Sequence, residues 1–218
     1  MNGGIEVNGM VLEALPAGEF DRRVVILTKE RGKISAFARR ARRQDSPLLA
    51  ATTPFAMGRF VLYEGRNSYT LVQADIREYF DVLRTDLTGV CFGSYFMEFA
   101  AYYAVENQEA GDQLNLLYAA LRALEKKAMP QQLVRYVFEI RMMVLGGEFP
   151  QDVIRDPAID ETVRYTVRHI VREPLKSLFS FTVSEETLSG LSSLQDTIRG
   201  KYTDRRFKSL AILEQIYS

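Results

Sequence analysis

Residues 24–43 read VVILTKERGKISAFARRARR, and this stretch decides the fold of the first part of the chain. Val24–Leu27 is an apolar, β-branched run, and Gly32 stands in a polar turn sequence. Residues 33–39 then alternate between two kinds of side chain, which is typical of a strand with one buried face. The stretch therefore predicts a β-hairpin. One face would carry Ile34, Ala36 and Ala38, and the other Lys33, Ser35, Phe37 and Arg39.

Three further segments have strand character. They are Ile5–Leu12, Phe60–Tyr63 and Tyr69–Ile76, with a turn sequence at Glu64–Ser68 between the last two. Five short strands at this spacing suit a small closed barrel, of which the OB-fold is one form. The fold class that we expect is α+β, with an N-terminal five-stranded OB-type β-barrel followed by an all-α helical domain.

From Tyr79 onward the apolar residues recur every three or four positions, which is the period of an amphipathic helix. Residues 160–172 are expected to be helical, Ser184 is an N-cap that opens a further helix, and Asp204 is expected to begin the last one. The apolar stretch 87–105 contains Glu98, which favours a buried core helix over a membrane span. We therefore expect an OB-fold domain over residues 1–78 and a helical domain over residues 79–218.

The composition excludes most catalytic chemistry. The chain has one cysteine, Cys91, and one histidine, His169, so it cannot form an internal disulfide or a four-ligand Cys/His zinc site. No phosphate-binding glycine loop or nucleophile elbow is present. We expect a non-enzymatic protein without a cofactor, with a buried Cys91 and a partly exposed structural His169. The N-terminus lacks the features of a signal peptide, which favours a cytoplasmic protein.

Charge is unevenly distributed although the net charge is zero. Residues 31–43 contain six basic side chains and no acidic one. On the strand, Phe37 would stand between Lys33 and Arg39, and single-stranded nucleic acid binds to such a combination of cations and a ring. The alternative is a solvated face with Phe37 covered by the helical domain. On an OB-type barrel we favour binding, and the predicted DNA-binding residues are Lys33, Phe37, Arg39, Arg40, Arg42, Arg43 and, more weakly, Arg66 in the turn at 64–68.

Several motifs together resemble the N-terminal signature of the RecO family. The resemblance is dense over residues 5–100 and looser beyond them. The motifs are Glu19-Phe20-Asp21, residues 26–30 (ILTKE), residues 32–39 (GKISAFAR), Ser46-Pro47-Leu48, Pro54-Phe55, Gly58-Arg59-Phe60, Leu62-Tyr63, Tyr69-Thr70-Leu71, Tyr79-Phe80-Asp81, Leu83-Arg84, Asp86-Leu87 and Ser94-Tyr95-Phe96.

The chain departs from the family pattern at two places. Family members usually have glycine where this chain has Arg40, so the backbone turn there is expected to differ. Many members also carry a four-cysteine zinc site after the motif at residues 145–150, whereas residues 151–181 contain no cysteine here. We expect the zinc module to be absent or replaced by a metal-free helix that packs on the same core.

The resemblance implies a recombination mediator in homologous recombinational repair, nucleoid-associated in the cytoplasm. Its partners would be single- and double-stranded DNA, RecR, the C-terminal tail of single-strand-binding protein and, indirectly, RecA. The tail would enter a groove of the helical domain with a basic rim. Candidate rim residues are Arg135, Arg141, Lys201, Arg205, Arg206 and Lys208.

Three alternative functions remain. They are an OB-type protein-interaction module, an RNA-binding module and an uncharacterised enzyme.

Overall fold

The computed structural model describes residues 4–66 and 68–217. The chain divides into two compact units, one of residues 1–81 with 100–114 and the other of residues 82–99 with 115–218. The first unit contains the strands and the second contains most of the helices, so each is described separately. The predicted domain boundary at residue 78 stays a prediction.

The first unit is a closed five-stranded barrel with the neighbour order β1-β2-β3-β5-β4. All pairs are antiparallel except β3 with β5, which is parallel. A register shift between Val11 and Glu13 bends β1, which pairs with β4 before the shift and mainly with β2 after it. The predicted barrel is confirmed. Its strands are β1 (Ile5–Ala17), β2 (Asp21–Thr28), β3 (Gly32–Ala38), β4 (Met57–Glu64) and β5 (Tyr69–Glu78).

The hairpin between β2 and β3 closes at Gly32, which has a φ of +62° that favours glycine. A Cβ at this position would lie 2.0 Å from the carbonyl oxygen of Val105, so a side chain is excluded for a second reason. The buried hydroxyl of Thr28 donates to the carbonyl of Gly32 and accepts the N–H of Arg31. These contacts fix which residue of β2 faces which residue of β3.

Inward-facing side chains of the strands fill the barrel. Ile34, Ala36 and Ala38 of β3 are buried in the core, as the alternation predicts. The small alanines suit a narrow interior, where larger neighbours from the other strands supply the volume. Those neighbours include Val7, Val11, Val24, Ile26, Phe60, Leu62 and Leu71.

Eight helices occur in the described residues, and two of them consist of a single turn. The predicted helical region is confirmed, and one helix begins after the expected cap, Ser184. The Asp160 carboxylate accepts the N–H groups of Thr162 and Val163, and the Ser184 hydroxyl accepts that of Thr187. The helices are α1 (Leu48–Ala51), α2 (Asp81–Arg84), α3 (Leu87–Tyr103), α4 (Gly111–Lys126), α5 (Gln131–Leu145), α6 (Glu161–Arg172), α7 (Glu185–Tyr202) and α8 (Lys208–Tyr217), with a 3-10 turn at Gln151–Ile154.

The helix α3 contains the apolar stretch that the sequence places in a core. Tyr95, Phe96 and Phe99 are fully buried, and the ring of Phe96 stacks on that of Phe138 with centroids 4.4 Å apart. Among the described residues, none of the helices combines the length and the apolar character that crossing a bilayer requires.

Three details refine the expectations for the helical region. The last helix begins at Lys208 and not at Asp204, because the Glu98 carboxylate on α3 accepts the N–H groups of Lys208 and Ser209. Burial alone would raise the pKa of Glu98, but the hydrogen bonds from Ser209 and Lys208 lower it. Cys91 was expected to be buried, but it is only half-buried. His169 is partly exposed, as predicted, and its ring contacts that of Phe181.

The cysteine-free segment contains α6, an amphipathic helix that packs on α5 and α7. Its buried face consists of Val163, Thr166, Val167 and Ile170. The contact with α7 is close at Gly190, where a Cβ would lie 2.5 Å from Cγ2 of Val163. Apolar side chains thus hold this segment against α5 and α7.

This close contact can be tested by two substitutions on the same helix. We expect Gly190→Val to lower the free energy of unfolding by about 1–3 kcal/mol, because the added side chain overlaps Val163. Gly200→Val is the control, since no atom lies within 4 Å of the Cβ position there. Thermal or urea unfolding measures both. Equal stability of the two variants would contradict this packing.

Candidate nucleic-acid interface

The outer face of β3 carries the predicted binding side chains. Phe37 is 41% exposed, so it is not a covered core residue. Lys33 and Ser35 are half-buried on the same face, and Arg39 follows the strand with an exposed side chain. Within the barrel unit, the outer face of β3 thus presents an accessible ring beside polar and basic side chains.

Arg23 on β2 belongs to the same face, and the sequence reasoning missed it. It lies directly opposite Phe37 in the antiparallel ladder, and its Nε donates to Oγ of Ser35 at 2.9 Å. The hydrogen bond directs the guanidinium along the outer face of β3, toward Ser35. The signal was present in the sequence, because a hairpin turn around Glu30 pairs residue 23 with residue 37.

The loop after β3 is attached to the turn between β1 and β2. The N–H of Arg42 donates to the carbonyl of Phe20 at 2.9 Å, and its Nη1 donates to the carbonyls of Glu19 at 3.1 Å and Gly18 at 3.3 Å. The N–H of Arg40 donates to Oδ1 of Asp21 at 2.7 Å. The four arginines of residues 39–43 are therefore presented on a backbone that is fixed at several points.

Arg40 takes the backbone conformation that glycine favours, with a φ of +56°. The expected difference of this turn from that of other family members stays a prediction. An arginine accepts a left-handed conformation at a cost of about 1–2 kcal/mol, and its N–H gains the bond to Asp21. The loop thus has an exposed cation at a left-handed position.

Phe20 is a second exposed ring next to the arginines, and the sequence reasoning quoted it only as part of a motif. It is 44% exposed, and the guanidinium of Arg43 lies over it at 5.3 Å from the ring centroid. Arg43 also approaches Asp45 at 4.0 Å between Nε and Oδ1. The cluster therefore has an accessible ring near each end, Phe37 on the strand and Phe20 in the turn.

Five cations of this face have no carboxylate partner in the part of the chain that the structure describes. Within residues 4–66 and 68–217, no carboxylate oxygen lies within 4.0 Å of the side-chain nitrogens of five of them. By contrast, Arg59 on β4 pairs with Glu6 at 3.3 Å and approaches Asp75 at 4.0 Å. The β2–β3 side therefore has uncompensated positive charge. The five residues are Arg23, Lys33, Arg39, Arg40 and Arg42.

Two basic side chains near this face have structural contacts. Arg22 points to α1 and donates from Nη1 to the carbonyl of Leu49 at 2.8 Å and to Oγ1 of Thr52 at 2.9 Å. Burial, and then the positive charge of Arg42, lower the pKa of the Arg22 guanidinium. The Nζ of Lys33 donates to the carbonyl of Ala101 at 2.8 Å, in the last turn of α3. Lys33 is thus less available to a ligand than the arginines.

Arg66 lies at the other end of the face, in the loop between β4 and β5. β5 begins at Tyr69 opposite Ala36 in a parallel pair, so the preceding loop lies toward the start of β3. The 4.0 Å contact of Arg31 with Glu64 agrees with this placement. Arg66 is exposed, and its neighbour at position 67 lies outside the described residues. The structure therefore does not bring Arg66 together with the arginines of residues 39–43.

The helical unit changes the choice of candidate rim residues. Arg135 is only 7% exposed, so its assignment to a rim is wrong. Its Nε donates to the buried Glu139 carboxylate at 2.7 Å, and the Tyr95 hydroxyl donates to the same oxygen at 2.6 Å. Burial and this carboxylate raise the pKa of the Tyr95 phenol well above its ordinary value. Arg141 donates to the carbonyls of Ile170 and Val171 and thereby connects α5 to the end of α6.

A cleft of about 760 Å³ in the helical unit has the apolar wall and basic rim that are expected of the predicted tail-binding groove. Apolar and small side chains form part of its wall, including Met129, Leu175 and Phe179. Basic residues that the sequence reasoning did not select also line it: Arg122, Lys126 and Lys176. Arg122 is hydrogen-bonded to Glu125 at 2.6 Å, so the two lysines carry its free positive charge.

A five-stranded closed barrel with a basic, ring-bearing β2–β3 face defines an OB-type barrel protein. Sequence comparison then identifies the family. The family model described as Recombination protein O N terminal matches residues 1–80, and that described as Recombination protein O C terminal matches residues 84–151. This chain belongs to the RecO family.

Individual relatives agree with this assignment. The DNA repair protein RecO of Acetivibrio thermocellus is 28% identical over 244 residues, with 97% of each chain covered. That of Alkaliphilus metalliredigens is 36% identical over 67% of this chain, and that of Desulforudis audaxviator is 35% identical over 67%. These two matches span 59% and 58% of the relatives' own lengths.

Adjacent arginines on β2 allow a test of which cations are structural. We expect Arg22→Ala to lower the free energy of unfolding by about 1–3 kcal/mol, because carbonyl and hydroxyl groups next to α1 lose their donor. Arg23→Ala should change it by less than about 0.5 kcal/mol, since that side chain is exposed. Urea unfolding of both variants measures the difference. A stability loss of similar size in both would contradict the distinction.

Proposed function

We propose that this protein is a non-enzymatic DNA-binding recombination mediator of homologous recombinational repair, acting in the cytoplasm at the nucleoid. It binds single- and double-stranded DNA, promotes annealing of complementary strands, and helps to load RecA onto DNA covered by single-strand-binding protein. RecR is its expected partner. Membership of the RecO family and the names of the relatives, DNA repair proteins, support the pathway.

The observation that carries the proposal is the uncompensated charge of the β2–β3 face. Phosphate groups are the ligands that such a cluster attracts, because each bound cation releases a counterion from the nucleic acid. Arginine also binds phosphate oxygens in a bidentate manner. The cluster Arg39, Arg40, Arg42 and Arg43 is the main contact in this proposal. Lys33 has a smaller part because Ala101 already accepts its hydrogen bond, and Arg66 is a peripheral contact.

The salt dependence of binding tests this assignment. If the four arginines each neutralise one phosphate, log affinity for single strands should fall against log salt with a slope of roughly −3. Changing all four to alanine should bring the slope close to zero and weaken binding to every sequence alike, because backbone contacts have no base code. Fluorescence anisotropy at several salt concentrations gives both values.

Arg59→Gln is the matched control, because its guanidinium is already paired with Glu6 and Asp75. It should leave the slope nearly unchanged. Unaltered salt dependence in a folded quadruple variant would refute the proposed patch. Preference for RNA over DNA of equal length and sequence would favour the RNA-binding alternative. Absence of binding to either would favour a protein-interaction module.

The cleft next to α4 is the proposed site for the C-terminal tail of single-strand-binding protein. An acidic, apolar peptide suits a wall that contains Met129 and Phe179 and a rim with free lysines. This choice replaces the rim residues that the sequence suggested. Of those, Lys201 lines a different cleft, between α6 and α7.

A charge reversal tests this choice on the full chain. We expect Lys126→Glu combined with Lys176→Glu to weaken binding of a tail peptide about tenfold or more, because like charges then face each other. Lys201→Glu should leave the affinity unchanged. Anisotropy of a labelled peptide measures both variants. A stronger effect of Lys201→Glu than of the double variant would place the tail elsewhere.

A further inference from the structure

Two exposed rings of the barrel, Phe37 and Phe20, have a different chemical role from the arginines near them. Phe37 lies opposite Arg23 in the β2–β3 ladder, and the guanidinium of Arg43 lies over Phe20 at 5.3 Å from the ring centroid. Both rings are less than two-thirds buried. Each place therefore offers a flat apolar surface with a basic residue near it.

A ring and a cation distinguish two forms of nucleic acid. A single strand can turn its bases outward, so that one base stacks on a ring while its phosphate reaches the guanidinium beside it. In a duplex the bases are stacked on one another, and only phosphates and groove edges reach the protein surface. The arginines can therefore bind both forms, whereas the rings can bind only the single strand.

We infer that Phe37 and Phe20 are the residues that make this protein prefer single-stranded over double-stranded DNA, with the arginine cluster serving both. This inference rests on the proposed function, because it assigns specificity within the same face. The anchoring of the arginine loop supports it. Hydrogen bonds from the Arg42 side chain to Gly18 and Glu19 fix the Phe20 turn against the loop, so both rings have defined positions relative to the cations.

The experiment compares single strands and duplexes of equal length on the full chain. Phe37→Ala and Phe20→Ala should each weaken single-strand binding about fivefold to a hundredfold, since stacking of one base is lost. Duplex affinity should change by less than about twofold, and the salt slope should stay as in the native protein. Phe37→Trp and Phe20→Trp should retain the preference, because a larger ring replaces the first.

Two further variants separate the loss of base stacking from a loss of stability and from a general effect of removing an exposed ring. Phe37→Leu preserves an apolar side chain and should keep the melting temperature while losing single-strand affinity. Tyr165→Ala removes an exposed ring on α6, 67% exposed, and should affect neither ligand. Equal losses for single strand and duplex in the phenylalanine variants, or no loss in either, would overturn the inference. If the native protein binds neither ligand, the proposed function fails instead.

Discussion

The register of β2 against β3 is the constraint on which the rest of the barrel surface depends. A shift of one residue would exchange the two faces of a strand, because side chains alternate. Phe37 would then enter a core that Ala36 and Ala38 now fill, and the alanines would face solvent. The turn at Gly32 and the hydroxyl of Thr28 prevent that shift. One backbone geometry thus determines both the packing of the barrel and the side chains available to a ligand.

The two sides of the barrel surface differ in the groups that contact their arginine side chains. On the β4 side, Arg59 has carboxylates from β1 and β5 close to it, and such exposed pairs contribute little to stability. On the β2–β3 side, hydrogen bonds to hydroxyl and carbonyl oxygens position the arginines without cancelling their charge. A carboxylate partner would also hold the side chains, but it would compete with a phosphate. Neutral acceptors give order and leave the charge available.

Much of this fold was predictable from the sequence because local patterns determine it. Strand alternation located the buried alanines of β3, and the capping residue Ser184 located the start of α7. Contacts between distant segments were not predictable in the same way. The start of α8 depends on Glu98, and the interior position of Arg135 depends on Glu139 and Tyr95. A basic residue near a helix end looks the same in sequence whether it lines a rim or a core.

In the candidate site, too, local patterns were predictable and contacts between distant segments were not. The arginine run and Phe37 could be found from composition and strand period alone. Identifying Arg23 required the hairpin register as well, and identifying Phe20 required the contact of its ring with Arg43. The left-handed backbone of Arg40 could not be predicted from its residue type, because arginine rarely adopts that conformation.

The contrast between the two sides of the barrel gives this unit an electric dipole within a chain whose formal net charge is zero. A neutral molecule has no monopole attraction to a polyanion, and salt at physiological concentration screens fields beyond about 8 Å. Attraction therefore begins only at short range, where it acts mainly as a torque. In the proposed function, this torque turns the molecule until the β2–β3 side faces the phosphates, so charge asymmetry governs orientation during encounter more than the distance from which partners are captured.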